Sequence, residues 1–179
     1  HPQNYSSALK GKTLAMIFEK PSLRTRVTFD VGIHQLGGFS VCLLPMEISL
    51  GKRESVHDVA KNLERMVQGI MIRTFAHQIV VDMAKHASVP VINALTDYSH
   101  PCQALGDMLT IKEKLGKLKG LNFAWVGDGN NVLNSLLFAA SAVGMNVSVA
   151  TPQGYEPLKK VVEEAKKIAQ KTGAKISLS

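Results

Sequence analysis

The sequence has few cysteines and no long apolar run, and each absence excludes a class of protein. Its 179 residues contain only two cysteines, Cys42 and Cys102, which is too few for the disulfide framework of a small secreted domain. No pair of Cys or His residues has the local spacing of a metal site. No apolar stretch approaches the ~20 residues that span a bilayer. We therefore expect an intracellular protein without a metal or a membrane anchor.

The N-terminus also lacks two features. Residues 1–4 show no basic head followed by an apolar segment, so no signal peptide is visible, and the chain does not begin with Met. We infer that the chain was processed or trimmed. The cytoplasm is the expected location, and the mitochondrial matrix after removal of a presequence is the alternative.

The charge is strongly one-sided, with a formal net charge of +7. Much of the excess lies near the end of the chain, at Lys159, Lys160, Lys166, Lys167, Lys171 and Lys175. Their spacing places them on one face of a helix and in the turn after it, which is typical of a solvated surface. No aromatic residues that could stack on bases interleave with them. We expect no nucleic-acid partner and look for anion binding at isolated basic residues instead.

Short apolar runs alternate with segments of helical periodicity along the whole chain. The predicted strands are 13–18, 40–44, 69–73, 90–94, 121–126, 146–150 and 174–178. The predicted helices are 24–36, 56–66, 77–86, 103–115, 132–143 and about 156–171, with 45–54 as a polar loop. This alternation predicts an α/β fold of parallel sheets flanked by helices, in two Rossmann-like domains.

A polar segment bounded by glycines, residues 116–120, is the expected domain junction. It divides the chain into domains 1–116 and 117–179. The strand–helix pattern restarts after the junction and stops mid-pattern at the last residue. We therefore expect the second domain to be incomplete.

Open α/β sheets bind ligands at the carboxyl ends of their strands, in the turns that lead into helices. The first such turn is 19–26 (Glu-Lys-Pro-Ser-Leu-Arg-Thr-Arg). Its hydroxyls at Ser22 and Thr25, its backbone N–H groups and the helix dipole favour an anion, and Arg24 and Arg26 add positive charge. An ordinary helix cap with surface arginines is the competing interpretation.

Three further turns hold polar side chains at predicted strand ends. Arg73 directly follows an apolar strand, and His100 precedes a helix that begins with Pro101. A histidine can donate to a carbonyl oxygen, and the amide of Gln103 can pair with an N–H group. The fourth turn, 127–131 (Gly-Asp-Gly-Asn-Asn), resembles a dinucleotide fingerprint, but Val132 stands where the third glycine belongs.

Taken together, these turns resemble the aspartate and ornithine carbamoyltransferases. Residues 18–29 look like that family's Ser-Thr-Arg-Thr-Arg signature, with Leu23 where Thr is commoner. Residues 100–103 match its His-Pro-x-Gln motif, and 51–55 with Asp58 resemble its Gly-Lys-x-Glu-Ser loop. The motifs occur in the expected order, and residues 127–136 and 151–157 resemble the ornithine branch. The family's later motifs are absent, so we expect the 179 residues alone to be inactive.

The resemblance implies transfer of a carbamoyl group from carbamoyl phosphate to L-ornithine, giving L-citrulline and phosphate, in arginine synthesis or breakdown. It implies that carbamoyl phosphate is bound by Ser22, Leu23, Arg24, Thr25, Arg73, His100 and Gln103. The implied catalytic residues are Arg24, Arg73 and His100, and Asn131 is the implied contact for ornithine. In the loop, Ser49 and Lys52 are weaker candidates. No cofactor or metal is implied, and the family commonly forms homotrimers.

Three alternatives stay open from the sequence. The amine substrate could be aspartate, putrescine or an acylated ornithine instead of ornithine. The protein could also be a non-catalytic paralogue that keeps the anion site, although the presence of Arg24, Arg73, His100 and Gln103 argues against this. A nucleotide-binding Rossmann module is disfavoured by Val132.

Overall fold

The structure, a computed structural model, describes residues 2–51 and 53–179. It divides into two compact units, the first ending at Thr96 and the second beginning at Asp97. In chain order the strands are β1 Thr13–Phe18, β2 Phe39–Leu43, β3 Gly69–Arg73, β4 Val91–Leu95, β5 Asn122–Val126, β6 Asn146–Ala150 and β7 Ile176–Leu178. The helices are α1 Leu23–Gln35, α2 Pro45–Ile48, α3 Val56–Leu63, α4 His77–His86, α5 Pro101–Leu115, α6 Asn131–Val143 and α7 Lys159–Thr172, with a short 3-10 helix at Pro2–Tyr5.

The first unit is built on a parallel sheet in the order β2-β1-β3-β4. Alternate side chains of its strands point to opposite faces, because the side-chain period of a strand is two residues. Leu14 and Met16 pack with Ile33 of α1 in one cluster. Ala15 and Ile17 pack in another cluster with α3 and α4. Burial of both faces explains why β1 and β3 are continuous apolar runs.

The second unit is a parallel sheet in the order β5-β6-β7 with helices α5, α6 and α7. Its core joins Met108 of α5, Leu137 of α6, Val147 of β6 and Val161 of α7. Both sheets are parallel and flanked by helices, which confirms the predicted α/β fold.

The division between the compact units falls at 96/97 in the sequence, 20 residues before the domain boundary predicted at 116/117. Helix α5 lies between the two positions, and it packs into the core of the second unit. The boundary at 116/117 stays a prediction for the domains of the protein.

Most predicted elements match the structure to within a few residues, and the exceptions have local causes. The predicted loop 45–54 contains the one-turn helix α2, because Pro45 begins it and the Glu47 carboxylate accepts from the Leu44 N–H at 2.6 Å. Helix α7 begins at Lys159 rather than near Glu156, since Pro157 restricts the backbone of the residue before it. The lysines of the solvated face are all exposed, as predicted.

Candidate active site

The first predicted turn is the start of α1, and Ser22 caps it. The Ser22 hydroxyl accepts from the Thr25 N–H at 3.3 Å and donates to the Thr25 hydroxyl at 3.0 Å. The N–H groups of Leu23 and Arg24, in the first turn, have no carbonyl of a preceding turn to bind. Together with the helix dipole, these N–H groups attract an anion. The side chain of Leu23 is 80% exposed, so it takes no part in the core. Only the backbone N–H of Leu23 is placed to bind an anion.

Arg73 reaches the same turn from the end of β3. Its guanidinium donates from Nη1 to the Thr25 hydroxyl at 3.3 Å, across 48 residues of sequence. Because β1 and β3 are neighbouring parallel strands, their carboxyl ends place the 19–26 turn and Arg73 side by side. The structure therefore brings Ser22, Thr25 and Arg73 together, as the strand-end rule predicts.

Positive charge is concentrated in this turn, at Arg24 and Arg73. The Nε of Arg73 is buried and has no hydrogen-bond partner among the described residues. Burial lowers the pKa of Arg73 from its usual value, and the positive charge of Arg24 nearby lowers it further. Two guanidinium groups and a helix N-terminus thus lie close together, and a bound dianion would relieve their repulsion.

Three supporting hydrogen bonds in this turn were missed from the sequence. The N–H groups of Glu19 and Lys20 donate to the Arg73 carbonyl, at 2.9 and 3.3 Å. The buried hydroxyl of Thr74 donates to the Glu19 carboxylate. These bonds tie the turn to the end of β3. A polar residue directly after an apolar strand, as at Thr74, is the signal that could have found them.

His100 forms the N-cap of α5 in the second unit. Its ring Nδ1 accepts from the Gln103 N–H at 3.4 Å, and its own N–H donates to the Ser135 hydroxyl at 2.8 Å. An unprotonated Nδ1 places the proton of a neutral ring on Nε2, which makes Nε2 the donor toward a ligand. The predicted role of His100 as a hydrogen-bond donor is therefore compatible with its tautomer.

Two neighbours of His100 complete this turn. The Gln103 side chain donates from Nε2 to the Asp107 carboxylate at 2.8 Å, which assigns its Oε1 the acceptor role toward a ligand. Burial raises the pKa of the Cys102 thiol, so the thiolate that would act as a nucleophile is disfavoured. Neither Cys42 nor Cys102 forms a disulfide in the described structure.

The fourth turn precedes α6 and carries Asn131. Asn130, not Asn131, caps the helix, because its side-chain oxygen accepts from the N–H groups of Val132 and Leu133 at 2.9 and 3.2 Å. Asn131 is the first helical residue, and its side chain is half-buried. The Gly129 N–H donates to the Tyr155 carbonyl at 2.7 Å.

Gly129 is in close contact with the segment before α7, and a side chain does not fit there. A Cβ at Gly129 would lie 2.4 Å from the backbone nitrogen of Pro157. We expect Gly129→Ala to lower the free energy of unfolding by roughly 2 kcal/mol, since backbone atoms must move. Gly106→Ala is the matched control, because its Cβ would enter open space within α5. That change should stabilise by about 0.5–1 kcal/mol, and urea unfolding of both variants measures the difference. Equal effects would contradict the packing argument.

The loop that resembles the Gly-Lys-x-Glu-Ser motif is described only in part. Lys52 lies outside the described residues, so its predicted role has no structural account. Ser49 has a left-handed backbone (φ 47°) and ends α2. Ser55 caps α3 by accepting from the Asp58 N–H at 3.0 Å, and its hydroxyl also lowers the pKa of the Asp58 carboxyl. Ser55 and Asp58 therefore start a helix in this structure.

The described residues contain neither a metal-ligand cluster nor a membrane-spanning helix. No group of three or more His, Cys, Asp or Glu side chains there is arranged to hold a metal ion. No helix in the same part of the chain is both long enough and apolar enough to cross a membrane.

Comparison with protein families decides the class of the protein. Residues 1–113 match the family "Aspartate/ornithine carbamoyltransferase, carbamoyl-P binding domain", and residues 119–179 match "Aspartate/ornithine carbamoyltransferase, Asp/Orn binding domain". The chain belongs to the aspartate/ornithine carbamoyltransferase family. The resemblance drawn from its motifs is thereby confirmed.

Individual members of the family are similar to this chain in both sequence and structure. The chain is 55% identical to an ornithine carbamoyltransferase of Anoxybacillus flavithermus over 168 residues, covering 94% of this chain and 54% of that protein. An ornithine carbamoyltransferase structure from Pyrococcus furiosus superposes with a TM-score of 0.93 at 50% identity, over 95% of this chain and 54% of that one. An N-acetyl-L-ornithine transcarbamylase structure superposes with a TM-score of 0.88 at 30% identity, over 98% of this chain and 62% of that one. The chain thus spans about half the length of the curated relatives it matches.

Proposed function

We propose that the protein is an ornithine carbamoyltransferase, which transfers the carbamoyl group of carbamoyl phosphate to the side-chain amine of L-ornithine. The observation that carries this proposal is the arrangement at the start of α1. A capped helix N-terminus, Arg24 and a partly desolvated Arg73 lie together there, and the Arg73 Nε has no hydrogen-bond partner among the described residues. An unpaired Nε beside a second guanidinium calls for a ligand with several anionic oxygens, and a phosphate dianion fits that chemistry.

The chemistry needs no covalent intermediate on the protein. The neutral amine attacks the carbonyl carbon, a nitrogen–carbon bond forms, and the carbonyl oxygen gains negative charge. The bond from carbon to the phosphate oxygen then breaks, phosphate leaves with the electron pair, and the amine nitrogen loses a proton. The products are L-citrulline and phosphate.

The first unit supplies the phosphate-binding groups in this proposal. The N–H groups of Leu23 and Arg24, with the hydroxyls of Ser22 and Thr25, bind the phosphate oxygens at the helix N-terminus. The guanidinium groups of Arg24 and Arg73 bind the leaving phosphate and the oxyanion as their negative charge develops. Such preorganised donors are each worth about a hundredfold to a thousandfold in rate.

This proposal assigns the carbamoyl and amine parts to His100, Gln103 and Asn131. His100 donates from Nε2 to the carbonyl oxygen, in keeping with its Nδ1 being an acceptor. Gln103 accepts from the carbamoyl N–H group through Oε1, in keeping with its Nε2 being bonded to Asp107. Asn131 contacts the amino-acid end of ornithine. We further propose a homotrimer in the cytoplasm, as is common in the family, and sedimentation of the complete protein tests the trimer.

The test is product formation by the complete protein. Carbamoyl phosphate is offered with L-ornithine, N-acetyl-L-ornithine, L-aspartate and putrescine in parallel, and the carbamoylated amine and released phosphate are both measured. Citrulline as the main product supports the proposal. N-acetyl-L-ornithine is included because a relative of the same fold is named for it. If the protein prefers another amine, that amine replaces L-ornithine as the proposed substrate. No turnover with any amine would refute the proposed activity.

A further inference from the structure

Helix α6 buries two adjacent polar side chains for which the proposed function has no role. Asn134 is 3% exposed and Ser135 is 7% exposed, and they lie between the fully buried Leu133 and Leu137. Burying an amide and a hydroxyl costs free energy unless both are hydrogen-bonded. The Asn134 Nδ2 and the Ser135 hydroxyl each have a hydrogen-bond partner, whereas the Asn134 Oδ1 has none among the described residues.

Both partners belong to the turn that carries His100. The Asn134 amide donates from Nδ2 to the Tyr98 carbonyl at 2.9 Å. The Ser135 hydroxyl accepts from the His100 N–H at 2.8 Å. Two bonds from neighbouring residues of one helix thus hold the backbone on either side of Ser99. The turn before α5 is fixed by α6 across 35 residues of sequence.

The backbone of His100 sets the direction of its side chain. Its dihedral angles, φ −133° and ψ 69°, lie outside both the helical and the extended regions. The bond to Ser135 holds this backbone, and the Gln103 N–H holds the ring at Nδ1. The position of Nε2 therefore depends on both contacts, one at each end of the residue.

We propose that Ser135, supported by Asn134, is a positioning residue that aims the His100 imidazole at the carbonyl oxygen. The inference rests on the proposed function, in which His100 is that donor. Ser135 touches no substrate and acts only through His100. A donor displaced by about 1 Å can cost on the order of a hundredfold in rate. We expect about a tenfold loss on removing the Ser135 hydroxyl, because the Asn134 bond still holds the turn.

The comparison of Ser135→Ala with Ser141→Ala tests the proposal in the complete protein. Both changes remove one buried hydroxyl from α6, but the Ser141 hydroxyl has no hydrogen-bond partner among the described residues. Ser135→Ala should lower kcat about tenfold and leave KM for carbamoyl phosphate within about twofold. Ser141→Ala should leave both constants within about twofold. Equal losses in the two variants would overturn the proposal, and Asn134→Ala replaces Ser135→Ala if the latter does not fold.

A double variant distinguishes positioning from a general structural effect. If Ser135 acts through His100, then Ser135→Ala causes no further loss of kcat in a His100→Ala background. A further tenfold loss there would overturn the inference.

Nitrogen NMR of the His100 ring gives a readout that does not depend on activity. The parent and Ser141→Ala should show a proton on Nε2 and none on Nδ1, and Ser135→Ala should shift both ring resonances. Unchanged His100 resonances in Ser135→Ala would overturn the positioning role. A parent that is inactive with every amine refutes the proposed function instead, and the NMR comparison then decides the positioning inference alone.

Discussion

Replacing Arg24 by Ala should lower kcat/KM for carbamoyl phosphate by about a thousandfold, at the upper end of the effect of losing one preorganised charged donor. Arg24 lies in the first turn of α1, and N–H groups at a helix N-terminus favour an anion. Burial lowers the pKa of Arg73, and the positive charge of Arg24 lowers it further. In the proposed site the two guanidinium groups would share one phosphate, and losing either would leave part of its charge uncompensated. Steady-state citrulline production by the complete protein measures the loss.

Arg26→Ala is the matched control for Arg24→Ala. It removes the same side chain and the same charge from the same exposed turn, two residues further on. We expect a loss of only about threefold, because an exposed charge without direct contact acts through a screened field. Thermal unfolding of both variants excludes a folding defect. Similar losses for Arg24→Ala and Arg26→Ala would contradict a specific role for Arg24 and indicate a general effect of net charge.

The sheet was predictable from the sequence because its strands are buried on both faces. Strands β1 and β3 match their predicted bounds, since each is an apolar run that ends at a polar side chain. Helix α2 was not predicted, because four residues carry no helical periodicity. The start of α5 was predicted two residues late, although Pro101 is typical of a first helical position.

The residues of the site were predictable one turn at a time, but their contacts were not. The strand-end rule and the motifs single out Ser22, Arg73 and His100 separately. The bond from Arg73 to Thr25 spans 48 residues, and the bond from His100 to Ser135 spans 35. Contacts over such separations follow from strand order and helix packing, which local patterns do not specify. Ser135 lies among apolar residues of α6, and only its hydrogen bond from the His100 N–H indicates a role beyond the core.

The family resemblance assigns Arg24, and not Arg26, to the site, and the structure adds a physical reason for the difference. Both arginines follow Ser22 closely, and composition gives them equal weight as anion ligands. The effect of the Arg24 charge on the pKa of Arg73 distinguishes them. Helical geometry is the cause, because residues two apart on a helix point in different directions.

Replacing Arg73 by Met should have opposite effects on activity and stability. Without a ligand, Arg73 carries a buried Nε that has no partner, beside the like charge of Arg24. Removing a buried unsatisfied donor gains about 1–3 kcal/mol, and loss of the bond to Thr25 costs about 1 kcal/mol. The variant should therefore unfold at the same or a higher urea concentration. Its kcat/KM should fall by about a thousandfold, because phosphate loses one of its two guanidinium ligands.

Arg73→Lys separates the charge of Arg73 from its shape. Lysine keeps a positive charge but loses the planar fork, so it should retain about a tenth to a hundredth of the activity. Unliganded Arg73→Lys should not gain the stability of Arg73→Met, since the repulsion from Arg24 persists. Added phosphate should raise the unfolding midpoint of the parent more than that of Arg73→Met, because only the parent holds both guanidinium groups. If Arg73→Met were instead destabilised and still active, Arg73 would be a structural residue, and the anion site would have to be centred on Arg24 alone.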